Sequence, residues 1–282
     1  MIEVESTGTG LSLQDRGRSG WRRFGVPSGG AMDLRSMSAA NALLGNPMNA
    51  SVLEILQQGA RLRVLEDTWF SLAGGDFSSQ IASGTAVLMR KGTRLHFDQA
   101  ASGLYAYLAV PGGFESMKWL GSASTDLRNG MGMQIHNAHC LEPRLSQPIT
   151  SVESVARRIL TQAQNLPLAT EQHFTLHPGA QFEAFAFNIR QKFIQSSWIV
   201  SKRSDRVGYR LEGAELQVPK SIPSEPVLPG SFQITNGGQP IVTMADGPTV
   251  GGYAKIAVLK ADDVDRFAQC APGTQLTFSW ID

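Results

Sequence analysis

Gly103-Leu104-Tyr105-Ala106-Tyr107-Leu108-Ala109-Val110-Pro111-Gly112-Gly113 is the stretch on which the fold turns. Leu104, Ala106, Leu108 and Val110 fall on one parity, Tyr105, Tyr107 and Ala109 on the other. Successive side chains of a strand point to opposite faces, so a two-residue period predicts a half-buried strand ending at the glycines. The pattern recurs near the C-terminus, where Leu276, Phe278 and Trp280 alternate with Thr277 and Ser279. Gly84, Gly92 and Gly103 fall between apolar runs, where turns belong. Many short strands at close spacing predict an all-β fold built of barrels or sandwiches.

Helices are few. Asp33 caps a predicted helix from about Leu34 to Leu44, with Leu34, Met37, Asn41 and Leu44 inward and Gly45 as the stop. Thr150 and Glu153 form a capping-box pattern before Val155, Ile159 and Leu160, predicting a junction helix that ends before Pro167. A third, short helix is expected from Asp263 to Ala268. The two halves are alike. Each opens on an Asp-Arg turn, Asp15-Arg16 with Arg18 and Asp205-Arg206 with Arg210. Each reaches a Gly-Thr-x-Leu-x-Phe segment, Gly92 to Phe97 and Gly273 to Phe278. The repeat implies two related β-barrels, residues 1–165 and 170–282.

Composition narrows the function. Of 282 residues, 42% are hydrophobic and 17% charged, enough for a core and against disorder. The net charge of +1, with no strongly basic half, argues against a nucleic-acid footprint. Two cysteines, Cys140 and Cys270, make no disulfide framework and fit a reducing cytosol. The start, Met1-Ile2-Glu3-Val4-Glu5, lacks the basic and apolar regions of a leader, and no apolar run reaches membrane-spanning length. A cytoplasmic location is expected.

Three regions can carry chemistry. The first runs from Gln14-Asp15-Arg16-Gly17-Arg18 through Ser28 to Asp33. Arginines between glycines suit either a carboxylate- or phosphate-binding loop or a structural turn in which Asp15 pairs an arginine. The second is Ser204-Asp205-Arg206-Val207-Gly208-Tyr209-Arg210-Leu211-Glu212-Gly213. There Arg206 and Arg210 clamp an anion with Asp205 orienting one of them, or the segment is an ion-paired hairpin. The third joins Ser224-Glu225-Pro226-Val227, Gln233 and Met244-Ala245-Asp246 through Gly251-Gly252. Glu225 and Asp246 there are either proton-transfer or amide-holding groups, or turn caps. No Gly-x-Ser-x-Gly elbow, phosphate loop or dinucleotide fingerprint is present, and Lys91-Gly92-Thr93 lacks the preceding glycine spacing. His136, His139 and Cys140 lack a second ligand pair, so no metal is assigned. His173 and His177 flank Phe174 and Leu176 in a strand pattern, and Met117-Lys118-Trp119 reads as a surface turn.

In their order along the chain these segments, with Val110-Pro111-Gly112-Gly113-Phe114, Gly121 to Arg128 and Gly237 to Lys255, resemble the allophanate hydrolase subunit 2 family. That family includes the C subunit of prokaryotic 5-oxoprolinase, the carboxyltransferase domain of urea carboxylase and an antagonist of a sporulation-kinase inhibitor. The resemblance implies two cyclophilin-like β-barrels, a B-like partner resembling allophanate hydrolase subunit 1, and a further A-like partner. It implies ATP at the level of the complex, spent on opening 5-oxoproline, a small anionic amide, to glutamate. It implies Asp246, Glu225 and Lys255 as catalytic residues and Arg18, Ser28, Asp33, Asp205, Arg206, Arg210 and Gln233 as substrate-binding residues. Biotin enters only if the chain is instead a carboxyltransferase for urea or a related amide. A third reading is non-catalytic, an antagonist of a kinase-inhibitor-like partner. The chain departs from the family at Ala123, where the usual Gly-Ser-Arg-Ser-Thr has arginine, and over Met131 to Cys140, usually richer in glycine.

Overall fold

A computed structural model describes residues 1–77, 80–145, 158–159, 170–219 and 222–281. The chain divides into two compact units, Met1–Arg18 with Gly29–Pro167, and Ser19–Ser28 with Leu168–Asp282. The second unit thus takes Ser19–Ser28 out of the stretch assigned above to residues 1–165.

The first unit holds β1 (Ile2–Thr7), β2 (Gly10–Gln14), β3 (Val52–Leu56), β4 (Ala60–Val64), β5 (Thr68–Asp76), β6 (Thr85–Met89), β7 (Arg94–Phe97), β8 (Ser102–Ala109), β9 (Cys140–Leu141) and β10 (Arg158–Ile159). They form one sheet ordered β7-β4-β1-β9 and another ordered β10-β6-β5-β8-β3-β2. Val4, Leu62 and Leu95 of the first sheet and Leu53, Phe70 and Leu108 of the second share one buried cluster, so the sheets pack face to face. The alternation that opens the sequence is the strand β8, in the interior of the larger sheet. The other sheet covers one face of this strand and the helix that follows Asp33 packs on the other, so every side chain from Leu104 to Ala109 is buried, not one parity alone.

Helix α1 (Leu34–Leu43) starts at the predicted cap. Asp33 accepts from Ser36 N at 2.8 Å and from the Ser36 hydroxyl at 2.6 Å. Gly45, at φ 69°, ends it with its N–H on Ala42 O. Its buried face is Ser36, Met37, Ala40, Asn41 and Leu43, so Met37 and Asn41 are inward as expected, with Asn41 reaching Ala50 O at 2.9 Å, while Leu34 and Leu44 are only half-buried. Asp33→Ala is expected to lower unfolding stability by about 1 kcal/mol, and Asp33→Asn to recover most of it, in chemical denaturation.

Of the junction helix expected after Thr150, residues 150–157 and 160–167 lie outside the described residues, and Arg158–Ile159 is a strand paired to β6. Cys140 lies in β9 beside Glu3, and Ala138 and His139 trade backbone hydrogen bonds with Val4, so this segment extends a sheet edge. No group of three His, Cys, Asp or Glu among the described residues is placed to hold a metal ion.

The second unit contains β11 (Glu171–Pro178), β12 (Trp198–Val200), β13 (Gly208–Glu212), β14 (Glu225–Pro226), β15 (Ser231–Ile234), β16 (Pro240–Thr243), β17 (Val250–Gly251), β18 (Lys255–Leu259) and β19 (Gln275–Trp280). Seven close into a barrel in the order β11-β18-β15-β16-β13-β12-β19, sealed by the parallel pair β11–β19. Phe174, Leu176, Trp198, Tyr209, Leu211 and Phe232 are buried, while His173 faces outward, its ring nitrogens 3.0 Å from the Thr277 and Ser279 hydroxyls. The two Gly-Thr-x-Leu-x-Phe segments play one role. Gly92 and Gly273 take φ of 89° and 93°, and the leucine and phenylalanine that follow each are buried. Helix α2 (Phe187–Gln195), which the sequence pattern did not predict, buries Ile189 and Phe193, four residues apart. It is nine residues long and has no side-chain cap, so its signal was one i,i+4 pair. Helix α3 (Val264–Ala268) follows a 3-10 turn, Ala261–Asp263, within the predicted span. No helix among the described residues is long and apolar enough to cross a membrane.

Candidate functional site

The two Asp-Arg turns have the same internal logic. Asp15 Oδ1 accepts from Gly17 N at 2.8 Å, and Asp205 Oδ1 from Val207 N at 2.9 Å. Each aspartate closes a turn on the N–H two residues ahead, the local use of a short carboxylate that competes with any role in binding. Asp15 also accepts from the Ser122 hydroxyl and, at 2.7 Å, from Ala123 N. At the departure from the family pattern the contact therefore runs through the backbone N–H, which alanine retains. Arg18 is 1% exposed, hydrogen-bonds Ser124 O and lies 5.9 Å from the centre of the Trp119 ring. Its guanidinium is engaged inside the first unit. Asp33 is there as a helix cap, its N–H on the Tyr107 hydroxyl, and burial beside Glu54 pushes that phenol well above its ordinary pKa. Lys118 stands in an exposed turn, as expected, next to Met117, 85% exposed.

In the second unit the predicted residues converge on the outside of the barrel. Gln233 of β15 is directly paired with Lys255 of β18 and with Ile241 of β16, and Ile241 with Arg210 of β13. Directly paired residues point the same way, so Arg210, Ile241, Gln233 and Lys255 form one row across four strands. Lys255 sits at a β-bulge, where the β15–β18 register slips past Ile256. A bulge sharpens the local twist and re-aims its side chains. Here the Lys255 ammonium runs beneath the two-stranded ribbon of β14 and β17 to Glu225. Glu225 Oε1 also accepts from Gln181 Nε2 at 2.8 Å, and Gln181 Oε1 takes the Lys255 N–H at 3.1 Å. Gln233 donates to the Thr243 hydroxyl at 2.9 Å. Gly251 lets the ribbon approach, since a Cβ there would stand 2.7 Å from Gln233 Oε1.

Lys255 is 5% exposed, and a buried ammonium persists only when paired. The hydrogen bonds from Lys255 and then Gln181 hold the Glu225 carboxyl below the usual range. Its folded pKa lies below the unfolded one, so the folded chain binds fewer protons. The stability it contributes is present at neutral pH and is lost in acid, as pH falls from the ordinary glutamate range through the lowered value. Thermal melts of Glu225→Gln should therefore lie below those of the parent chain at pH 7, and the gap should shrink in acid.

Arg206 and Asp246 form a second pair, two-pronged at 2.7 and 2.9 Å, with Asp246 N on Arg206 O. Arg206 thus faces its own carboxylate, while Arg210, four residues on, lies in the middle of β13 with its side chain exposed. Ser28 is half-buried in the segment that joins the second unit. Two residues were missed. Gln181 gives no sequence signal, because its value is one hydrogen bond to each member of a pair brought together by the fold. Arg22 hydrogen-bonds Val227 O and, at 3.3 Å, Pro248 O, so it braces the end of the ribbon that carries Glu225.

A buried lysine paired to a ribbon glutamate and a glutamine, preceded by the Asp-Arg-x-Gly-x-Arg turn, marks the second unit. The family described as carboxyltransferase domain, subdomain A and B, matches residues 24–280. This chain belongs to the carboxyltransferase domain family. Among members of known name, the 5-oxoprolinase C subunit of Escherichia coli is 32% identical over 99% of this chain and 90% of its own length. The protein of the same name from Haemophilus influenzae is also 32% identical, over 91% of its length. Urea amidolyase of Saccharomyces cerevisiae is 27% identical over 98% of this chain, which spans 16% of that protein. The crystal structure of TTHA0988 superposes with a TM-score of 0.88 at 32% identity, and this chain covers 56% of it. The urea amidolyase structure from K. lactis gives a TM-score of 0.88 at 27% identity, with 19% of that chain covered. For a carboxyltransferase-family domain, the fold and the order of the motifs follow.

Proposed function

We propose that this chain is the C-type component of a cytoplasmic, ATP-dependent 5-oxoprolinase that opens 5-oxoproline to glutamate together with B-like and A-like partners and is inactive without them. The observation that supports this most is the 32% identity with the 5-oxoprolinase C subunit of Escherichia coli over 90% of that protein. In the reaction, water adds to the lactam carbonyl carbon, the C–N bond breaks and the nitrogen leaves protonated. Lys255, itself 5% exposed, is the donor for the carbonyl oxygen, where negative charge gathers. Glu225, weakened as a base by Lys255, serves better as an acceptor that holds the ring N–H, with Gln233 beside it. Asp246 acts through Arg206, keeping the turn before β13 in place. Lys91-Gly92-Thr93 fits no phosphate cradle, since Lys91 N is spent on Asp67 at 2.7 Å in a tight turn.

The likeness to urea amidolyase favours one alternative, a carboxyltransferase that receives its carboxyl group from biotin on another chain. Reconstitution separates them. Purified chain, B-like and A-like partners, ATP and 5-oxoproline are expected to yield glutamate. A complete complex that forms no glutamate, yet carboxylates urea or a related amide when a biotin carrier is supplied, would replace this reading with the alternative.

A further inference from the structure

Between Met117 and Gly130 the chain passes along β2 and forms two exposed turns. Thr125 N is on Leu13 O and Ala123 N on Asp15, so the stretch between the turns is fastened to the first unit. The turn before it, Trp119 to Ser122, is closed by two backbone hydrogen bonds of 2.8 and 3.1 Å. The turn after it is a 3-10 turn, Leu127–Asn129, capped by Asp126. From Ser122 to Leu127 is roughly 17 Å at full extension, well within the width of a standard interface. Three large apolar side chains stand out of this stretch into solvent. Met117 is 85% exposed, Leu127 54% and Trp119 46%. An exposed apolar group rimmed by charge marks an interaction surface on a folded domain.

The face is set in advance. Leu120 takes φ 50°, a left-handed conformation that glycine or asparagine adopts more easily. The buried Arg18 guanidinium lies 5.9 Å from the centre of the Trp119 ring, and Arg18 is in turn held by Ser124 O. A ring fixed before contact loses little freedom on binding. The rim is basic. Arg16, Lys118 and Arg128 are exposed, and among the described residues none of the three has a carboxylate within ion-pair distance. Of the exposed acids nearby, Glu115 is paired with Arg144 at 3.2 Å and Glu142 remains, so cations are in excess.

We propose that Met117, Trp119 and Leu127, ringed by Arg16, Lys118 and Arg128, dock this chain on a partner subunit whose matching surface is an apolar hollow with an acidic rim. The proposal rests on the reading of the chain as one component of a multi-subunit enzyme. A second copy does not fit, because two basic faces repel. Tryptophan, methionine and arginine are the side chains that protein interfaces favour.

The full chain is titrated calorimetrically with the B-like and A-like partners, and assembly is followed by size-exclusion with light scattering. The parent chain is expected to bind. Trp119→Ala should weaken binding about 30-fold and Leu127→Ser about 10-fold. Lys118→Glu with Arg128→Glu should weaken it further at low salt and flatten its salt dependence. Arg203→Ala, an exposed arginine on the barrel, should leave affinity unchanged. Leu127, Lys118 and Arg128 are exposed, so parental thermal melts should accompany their losses. Parental affinity in the folded variants overturns the proposal, as does a parent chain that binds neither partner. Self-association lost in Trp119→Ala would give the face to a second copy, and binding to anionic vesicles lost in the same variant would give it to a membrane. Either result overturns the proposal. Parental assembly and turnover in the variants remove the face and leave the function standing. Assembly that depends on Trp119, in a complex that forms no glutamate, keeps the face and removes the function.

Discussion

Lys255→Met is expected to lower glutamate formation by the reconstituted complex about 10²–10³-fold, with little change in the fold. Methionine keeps the unbranched stem that fills the space under the ribbon and deletes the charge. The substitution leaves Glu225 with its Gln181 hydrogen bond and, being about one-third exposed, with access to water, so no charge is stranded in the interior. The loss should fall on kcat more than on KM, because a donor aimed at a developing oxyanion acts mainly in the transition state. Lys255→Arg should recover little. The space beneath the ribbon is set by Gly251 against Gln233, and a planar fork does not fit where a point charge sits. Steady-state kinetics with thermal melts of the same preparations decide the matter. Turnover within a few-fold of the parent in a folded Lys255→Met complex would remove this residue from the chemistry.

The second large effect is on stability. Phe193→Ala should cost about 3–5 kcal/mol in denaturant unfolding. Phe193 is fully buried and stacks on Phe278 at 5.4 Å between ring centres, with Trp198, Phe232 and Trp280 each within 5.8 Å. Its own carbonyl takes the Trp198 indole N–H at 2.9 Å. The ring fastens α2 to the barrel through aromatic side chains held in rigid strands, which cannot collapse into the space left behind. That rigidity puts the cost at the upper end of the large-to-small range. Phe193→Leu should lose markedly less. Trp198 fluorescence in guanidinium follows the transition, and a loss under about 1 kcal/mol would mean that α2 is not a part of the core.

Local signals in the sequence survived wherever one residue's environment is fixed by its near neighbours. Asp33 capping α1 and Gly45 ending it needed no knowledge of the fold, because both act within one turn. The alternation of β19 was legible because the pleat imposes it, whereas β8, expected to be half-buried, is covered on both faces. Asp15 and Asp205 illustrate the opposite risk. Carboxylates beside arginines suggested binding, but each is satisfied by the N–H two residues ahead. Arg206 is paired with Asp246, 40 residues away in sequence, a partner that spacing along the chain does not reveal.

The sequence by itself determined the all-β class, the position of α1 and α3 and the alternation along β19, since these follow from periods of two and 3.6 and from caps. Only the tertiary structure decided which of the outward residues meet. Barrel closure and a bulge at Ile256 bring Lys255 under Glu225, and strand register sets Arg210 three strands away. Register is a property of paired chains, fixed by contacts between residues distant in sequence, and so no local pattern can carry it.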